Sequence, residues 1–184
     1  MRRILRVHSH LKGGAAGKLL QGRAHSDAPL RSLSVSPAAA KTLPSRSNYH
    51  YFVRQQTRWK DNDMYGHVNN AVYYAYFDTC VNHFLINEAG LRPMESDAIA
   101  LCIESQCTYS AALAYPESLD IGLRAGKVGK SSIRWECAVF QEGAEQSAAH
   151  GYFVHVFVNN ANRRPVAIPA TIRDAVTTRL MIKE

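Results

Sequence analysis

Ten consecutive residues, Asp61-Asn62-Asp63-Met64-Tyr65-Gly66-His67-Val68-Asn69-Asn70, hold two carboxylates, a histidine and three amides, and they open a long run free of Pro. A carboxylate beside a helix start can attack a thioester carbonyl carbon or activate a water to do so. Free backbone N–H groups of the first turn can then stabilise the oxyanion that forms. On that reading Asp63 is the nucleophile or general base, and His67 is a further catalytic candidate. A structural reading competes with it: Asp63 or Asn69 caps the helix and His67 is a buried hydrogen-bonding residue, because Asp and Asn are common caps.

The elements that would position this segment follow from pattern. Tyr49 to Trp59 alternates as a first strand, a turn-rich loop follows, and His67 to Asn87 contains neither Pro nor Gly, which predicts one helix. Its apolar residues recur at Val68, Val72, Ala75, Tyr76, Thr79, Cys80 and His83, while Tyr73, Phe77, Val81, Phe84 and Leu85 fill much of the remaining circumference. Such a helix should be wrapped by other structure. Gly90 and Pro93 supply the stop. Strands are expected near 99–110, 117–126, 131–141 and 148–158. In the third of these Ile133, Trp135, Cys137 and Val139 alternate with Arg134, Glu136, Ala138 and Phe140. Short Gly-containing turns make neighbouring strands antiparallel, and one helix among many strands argues for an α+β fold with a curved antiparallel sheet around a single central helix.

The chain has 184 residues, 46% of them hydrophobic, enough for one domain with a core. Its net charge of +7 is concentrated in residues 1–47, where Arg2, Arg3, Arg6, Lys12, Lys18, Arg23, Arg31, Lys41 and Arg46 face the single acid Asp27. The rest is nearly neutral, so the charge does not point to nucleic acid. An Arg-rich, Ser-containing, acid-poor leader fits a mitochondrial presequence followed by one domain over 48–184, with the matrix as destination. A disordered basic tail is the alternative. No apolar run is long enough for a membrane span. Cys80, Cys102, Cys107 and Cys137 show neither a paired redox spacing nor a zinc-like one, so no metal is expected and the thiols read as buried.

The string Asp-x-Asp-x-x-Gly-His-Val-Asn-Asn-x-x-Tyr-x-x-Tyr-Phe-Asp over Asp61–Asp78 resembles the signature of hot-dog thioesterases of the 4-hydroxybenzoyl-CoA and long-chain acyl-CoA type. The resemblance extends over about 50–175. It implies the hot-dog fold and hydrolysis of an acyl-CoA or acyl carrier protein thioester, with coenzyme A entering only as part of the substrate and no separate cofactor. It also implies a homodimer or homotetramer whose protomers pair their sheets side by side, with the acyl site between them. Residue by residue, it makes Asp63 the nucleophile or base, Asp61 a structural acid, and the Asn70 region the oxyanion donor. The His67-Val68-Asn69-Asn70 form favours an aliphatic acyl group. Tyr65, Asn69 and Tyr73 become candidates for substrate contact, and Lys130, Ser131, Arg163 and Arg164 for the phosphates of coenzyme A. Two other outcomes stay open: a hot-dog protein that only binds acyl groups, and a hydratase acting on enoyl-CoA. The hydratase signature places four residues between Asp and His, whereas three separate Asp63 from His67.

Overall fold

A computed structural model describes residues 42–181. The expected leader therefore lies outside the described residues as far as position 41. Its last residues belong to the folded part. Ser45 caps a short 3-10 turn at Arg46–Asn48, and Arg46 is ion-paired with Asp120. The Arg46 guanidinium also lies 4.8 Å from the centre of the Phe52 ring and 5.5 Å from that of Phe140.

β1 (Tyr51–Gln56) is followed by α1 (Asn70–Asn87) and then by β2 (Ala98–Tyr109), β3 (Ser118–Val128), β4 (Ser132–Gln141), β5 (Ala149–Asn159) and α2 (Ala170–Arg179). The strands form one sheet in the order β1-β3-β4-β5-β2, every neighbouring pair antiparallel. The strands that flank α1 in the chain thus become the two edges of the sheet. This is the hot-dog arrangement, an α+β fold with the sheet curved around the long helix.

α1 starts three residues later than expected, because Asn69 is its N-cap and accepts a hydrogen bond from the Ala71 N–H at 2.9 Å. The stop is as expected: Leu91 N–H reaches back to the Leu85 carbonyl at 2.8 Å and Gly90 adopts φ +70°, a left-handed position that glycine fills without strain. The buried face carries Tyr73, Tyr76, Phe77, Cys80, Val81, Phe84 and Leu85. Ala75, Thr79 and His83, expected on the buried stripe, are exposed. Burial follows apolar area, and the rings of Tyr73, Phe77 and Phe84 outweigh the small residues opposite them. α1 packs on β1, β3 and β4. In β4 the expected alternation holds, with Ile133, Trp135, Cys137 and Val139 in the main core. On the opposite face Ala138 and Phe140 are also buried, in a second small cluster with Tyr49.

His155 on β5 is 4% exposed, its ring 6.3 Å from Trp135 and 5.8 Å from Phe153. Burial pulls its pKa down from 6.5 to about 4. The unfolded chain accepts a proton that the folded one resists. The stabilisation is therefore complete above pH 6.5 and is lost as the pH falls from there through about 4, by up to about 3 kcal/mol. Denaturant titrations at pH 7.5 and 4.5 should show a smaller loss for His155→Phe than for the wild type. Equal losses would contradict this.

Candidate functional site

The loop from Arg58 to Asn69 is held from beneath by Asp61. Asp61 is 1% exposed, yet its carboxylate accepts from the Arg58 N–H at 2.9 Å, from the Arg58 Nε at 3.1 Å and from the Tyr76 hydroxyl at 2.8 Å. Burial alone would raise the Asp61 pKa. The hydrogen bonds from the Arg58 side chain and backbone and from Tyr76, with the Arg58 charge, outweigh it and leave the group below its ordinary value. On the Tyr76 side burial comes first and the Asp61 carboxylate adds to it, and both push the hydroxyl well above its usual range. Asp61 also ties the loop to the helix through its carbonyl, which accepts from the Asn69 N–H at 2.8 Å.

Above this brace the chain makes a turn at Asp63-Met64-Tyr65-Gly66. Gly66 N–H donates to the Asp63 carbonyl at 3.2 Å, and Gly66 takes φ +85°. The Asp63 N–H donates to the His67 carbonyl at 2.9 Å, and its Oδ1 accepts from the Tyr65 N–H at 2.8 Å. Its Oδ2 has no hydrogen-bond partner among the described residues. Asp63 is therefore not a helix cap. Asn69 fills that role, and Asp63 stands as a half-buried carboxylate with one oxygen pinned and one free.

Asp63, Tyr65, His67, Val68, Asn70, Tyr73, Tyr109, Ser110, Ala111 and Ala112 line a cavity of about 510 Å³, a volume typical of small-molecule sites. Five expected site residues, Asp63, Tyr65, His67, Asn70 and Tyr73, thus meet in one place. Tyr73 is almost fully buried, and burial, with smaller contributions from Cys107 and Glu117, pushes its hydroxyl up to about 12. His67 is exposed on the rim, not the buried residue of the structural reading. The Asn70 N–H, at the first position of α1, has no acceptor among the described residues, as helix geometry leaves it. Tyr109 and the Ser110–Ala112 segment were not anticipated, since only the antiparallel return of β2 brings them to the helix start.

The other expected residues lie elsewhere. The Asn69 side chain is committed to its cap and does not line the cavity. Lys130 and Ser131 sit in the β3–β4 turn, where their carbonyls accept from Ile168 and Phe157. Arg163 and Arg164 follow β5, and the Arg164 carbonyl accepts from Asn159. That is the end of the sheet where Ala98 pairs with Asn159, whereas the cavity is at the end where Tyr109 pairs with Ala149. At the usual strand rise the two ends are about 30 Å apart. Within one protomer these four residues cannot meet a group beside Asp63. Among the described residues no group of three or more His, Cys, Asp or Glu is placed to hold a metal ion.

Comparison with known proteins agrees with this architecture. The PA5185 protein of Pseudomonas aeruginosa strain PAO1 superposes with a TM-score of 0.75 at 45% identity, covering 77% of this chain and 99% of that one. A thioesterase of Thermus thermophilus, solved with coenzyme A and Zn, superposes with a TM-score of 0.60 at 27% identity, covering 70% of this chain and 98% of the other. The Bacillus subtilis (strain 168) protein YsmA is 24% identical over 89 residues, a match spanning 48% of this chain and 59% of that protein. The model of the thioesterase-like superfamily matches residues 57–176, from just after β1 into α2. With the Asp63 loop, the long helix and all the later strands inside that match, the chain belongs to the thioesterase-like superfamily.

Proposed function

We propose that the protein is an acyl-CoA thioesterase with Asp63 as its base or nucleophile. The observation that carries this is the Asp63 carboxylate itself: one oxygen is held by the Tyr65 N–H, the other is free, and the cavity it lines also holds the first residue of α1. In the general-base form, Asp63 takes a proton from water while the water oxygen bonds to the acyl carbon. The carbonyl oxygen gains charge beside the Asn70 N–H, the C–S bond then breaks, and the thiolate receives a proton. In this reading His67, exposed at the cavity, supplies it. The acyl group would rest on Tyr73 and Tyr65.

Coenzyme A as the carrier is supported by the Thermus relative solved with that molecule; an acyl carrier protein is the alternative carrier. The His67-Val68-Asn69-Asn70 form favours an aliphatic acyl group. A homodimer built on the free edge of β2 would bring the partner's copies of Lys130, Ser131, Arg163 and Arg164 toward this cavity, because a two-fold axis between paired copies of one strand makes them antiparallel. The test is thiol release from a panel of acyl-CoA esters by wild type and Asp63→Asn. Hydration of enoyl-CoA without thiol release would overturn the proposal, and so would acyl binding without turnover.

For residues 1–47 we propose mitochondrial import, on the concentration of basic charge described above. A fluorescent reporter carrying this segment should enter the matrix, and a diffuse reporter would count against it.

A further inference from the structure

Tyr109, the last residue of β2, reaches from the sheet edge to the helix start. Its hydroxyl donates to the Asn70 carbonyl at 3.0 Å, and its ring stands edge-on to Tyr73 with centres 5.1 Å apart. It is also part of the cavity wall. The register gives its direction: Tyr109 pairs with Ala149 and Ser105 with Phe153, and both partners are core residues. Tyr109, Cys107 and Ser105 therefore share the face of β2 that looks toward the helix. α1 makes its main backbone approach to β1, β3 and β4, and reaches this side of the sheet through the rings of Tyr74 and Phe77, which meet Phe153. Beyond Tyr109 the inward side chains are small: Cys107, half-buried, then Ser105, exposed. Across from them Tyr74 of α1 stacks on Phe153 at 6.1 Å and 16°. The Tyr109 ring, held at two points, thus stands between the cavity it lines and the small inward side chains of Cys107 and Ser105.

We propose that Tyr109 is the residue that sets the acyl-chain length the site accepts: its ring ends the acyl pocket, so that short chains fit in front of it and longer ones are stopped. This rests on the thioesterase reading only for the identity of the ligand. A chain growing along the cavity gains about fourfold in affinity for each buried methylene, and that gain must end where the ring blocks the way. Replacing the ring by a methyl group should open the cavity toward Cys107 and Ser105, and the gain should resume.

The test uses the full chain and non-hydrolysable S-alkyl-CoA thioethers from two to sixteen carbons, with Kd measured for wild type, Tyr109→Phe and Tyr109→Ala. Wild-type affinity should rise with chain length and reach a plateau before sixteen carbons. Tyr109→Phe keeps the ring and should reach its plateau at the same length, whereas Tyr109→Ala should continue at least two methylenes further, about sixteenfold tighter than wild type for the longer ligands. A wild-type affinity that climbs through sixteen carbons overturns the proposal. So does a Tyr109→Ala plateau at the wild-type length, or a chain-length-independent loss. Hydrolysis of the matching thioesters is measured separately. Length-dependent binding with no hydrolysis overturns the Asp63 mechanism and leaves the role of Tyr109 standing.

Discussion

Asp63→Asn should lower kcat for acyl-CoA hydrolysis by roughly a hundredfold or more, the scale of a lost general base, with little change in melting temperature. The substitution preserves shape, and the amide oxygen can still accept the Tyr65 N–H that the Asp63 Oδ1 accepts at 2.8 Å. The turn closed by Gly66 and the Asp63–His67 backbone bond needs no charge on this side chain. The helix loses nothing, because its cap is Asn69. A purely structural Asp63 would give near-normal turnover, with at most about 1 kcal/mol of stability lost. An Asp63→Asn enzyme that retains most of its kcat on every thioester tested would end the mechanism proposed here.

Asp61→Asn is the control two residues away, and it should behave in the opposite way. Its carboxylate is buried and receives bonds from the Arg58 backbone, the Arg58 guanidinium and the Tyr76 hydroxyl. Neutralising it weakens each charge-assisted bond and leaves Arg58 without its partner. Arg58 keeps much of its own hydration, since its side chain is 52% exposed, so the expected cost is about 2 kcal/mol, below that of a fully buried pair. Activity should fall only in proportion to the folded fraction. The two acids of one short loop thus separate stability from chemistry in a single comparison.

The loop and the strands were legible because each depends on local chemistry. Alternation in Ile133–Phe140 marks a strand with one core face whatever its neighbours are, and Asp, Asn and Gly between Asp61 and Gly66 mark a turn. The buried face of α1 was not legible, since apolar residues surround it and only the sheet decides that Tyr73 and Phe77 face inward while Ala75 and Thr79 do not. Which residue caps the helix was equally undecidable: Asp63 and Asn69 are both good caps, and the choice turns on Gly66 at φ +85°, which leaves Asp63 outside the first turn of the helix. Tyr109 is 39 residues from Asn70 and carries no motif. For Lys130 and Arg163 the residue types suggested phosphate contacts but not the protomer they would serve: the β2–β5 register puts them at the end of the sheet opposite the cavity of their own chain.

That far placement leads to the other large effect expected, which concerns the free edge of β2. This strand has twelve residues, pairs with β5 on one side only and exposes Leu101 and Ile103, the latter at 65%. A long edge with exposed apolar residues and unpaired backbone groups is a template for another strand. If two copies pair there across a two-fold axis, residues near the middle of β2 meet their own copies, and Lys at both positions sets like charges face to face. Ile103→Lys, at the bulge between Cys102 and Glu104, should therefore yield a folded monomer by light scattering. It should also lose more than about tenfold in kcat/KM, because Lys130, Ser131, Arg163 and Arg164 can approach an Asp63 site only from the partner. The loss should fall mainly on KM, the parameter that phosphate contacts remote from the acyl carbon control when they bind ground and transition states alike. A wild-type protein that is monomeric at working concentration and fully active would refute this, as would a monomeric Ile103→Lys variant with unchanged kcat/KM. In either case the coenzyme A contacts would have to come from residues at the Tyr109 end of the same protomer.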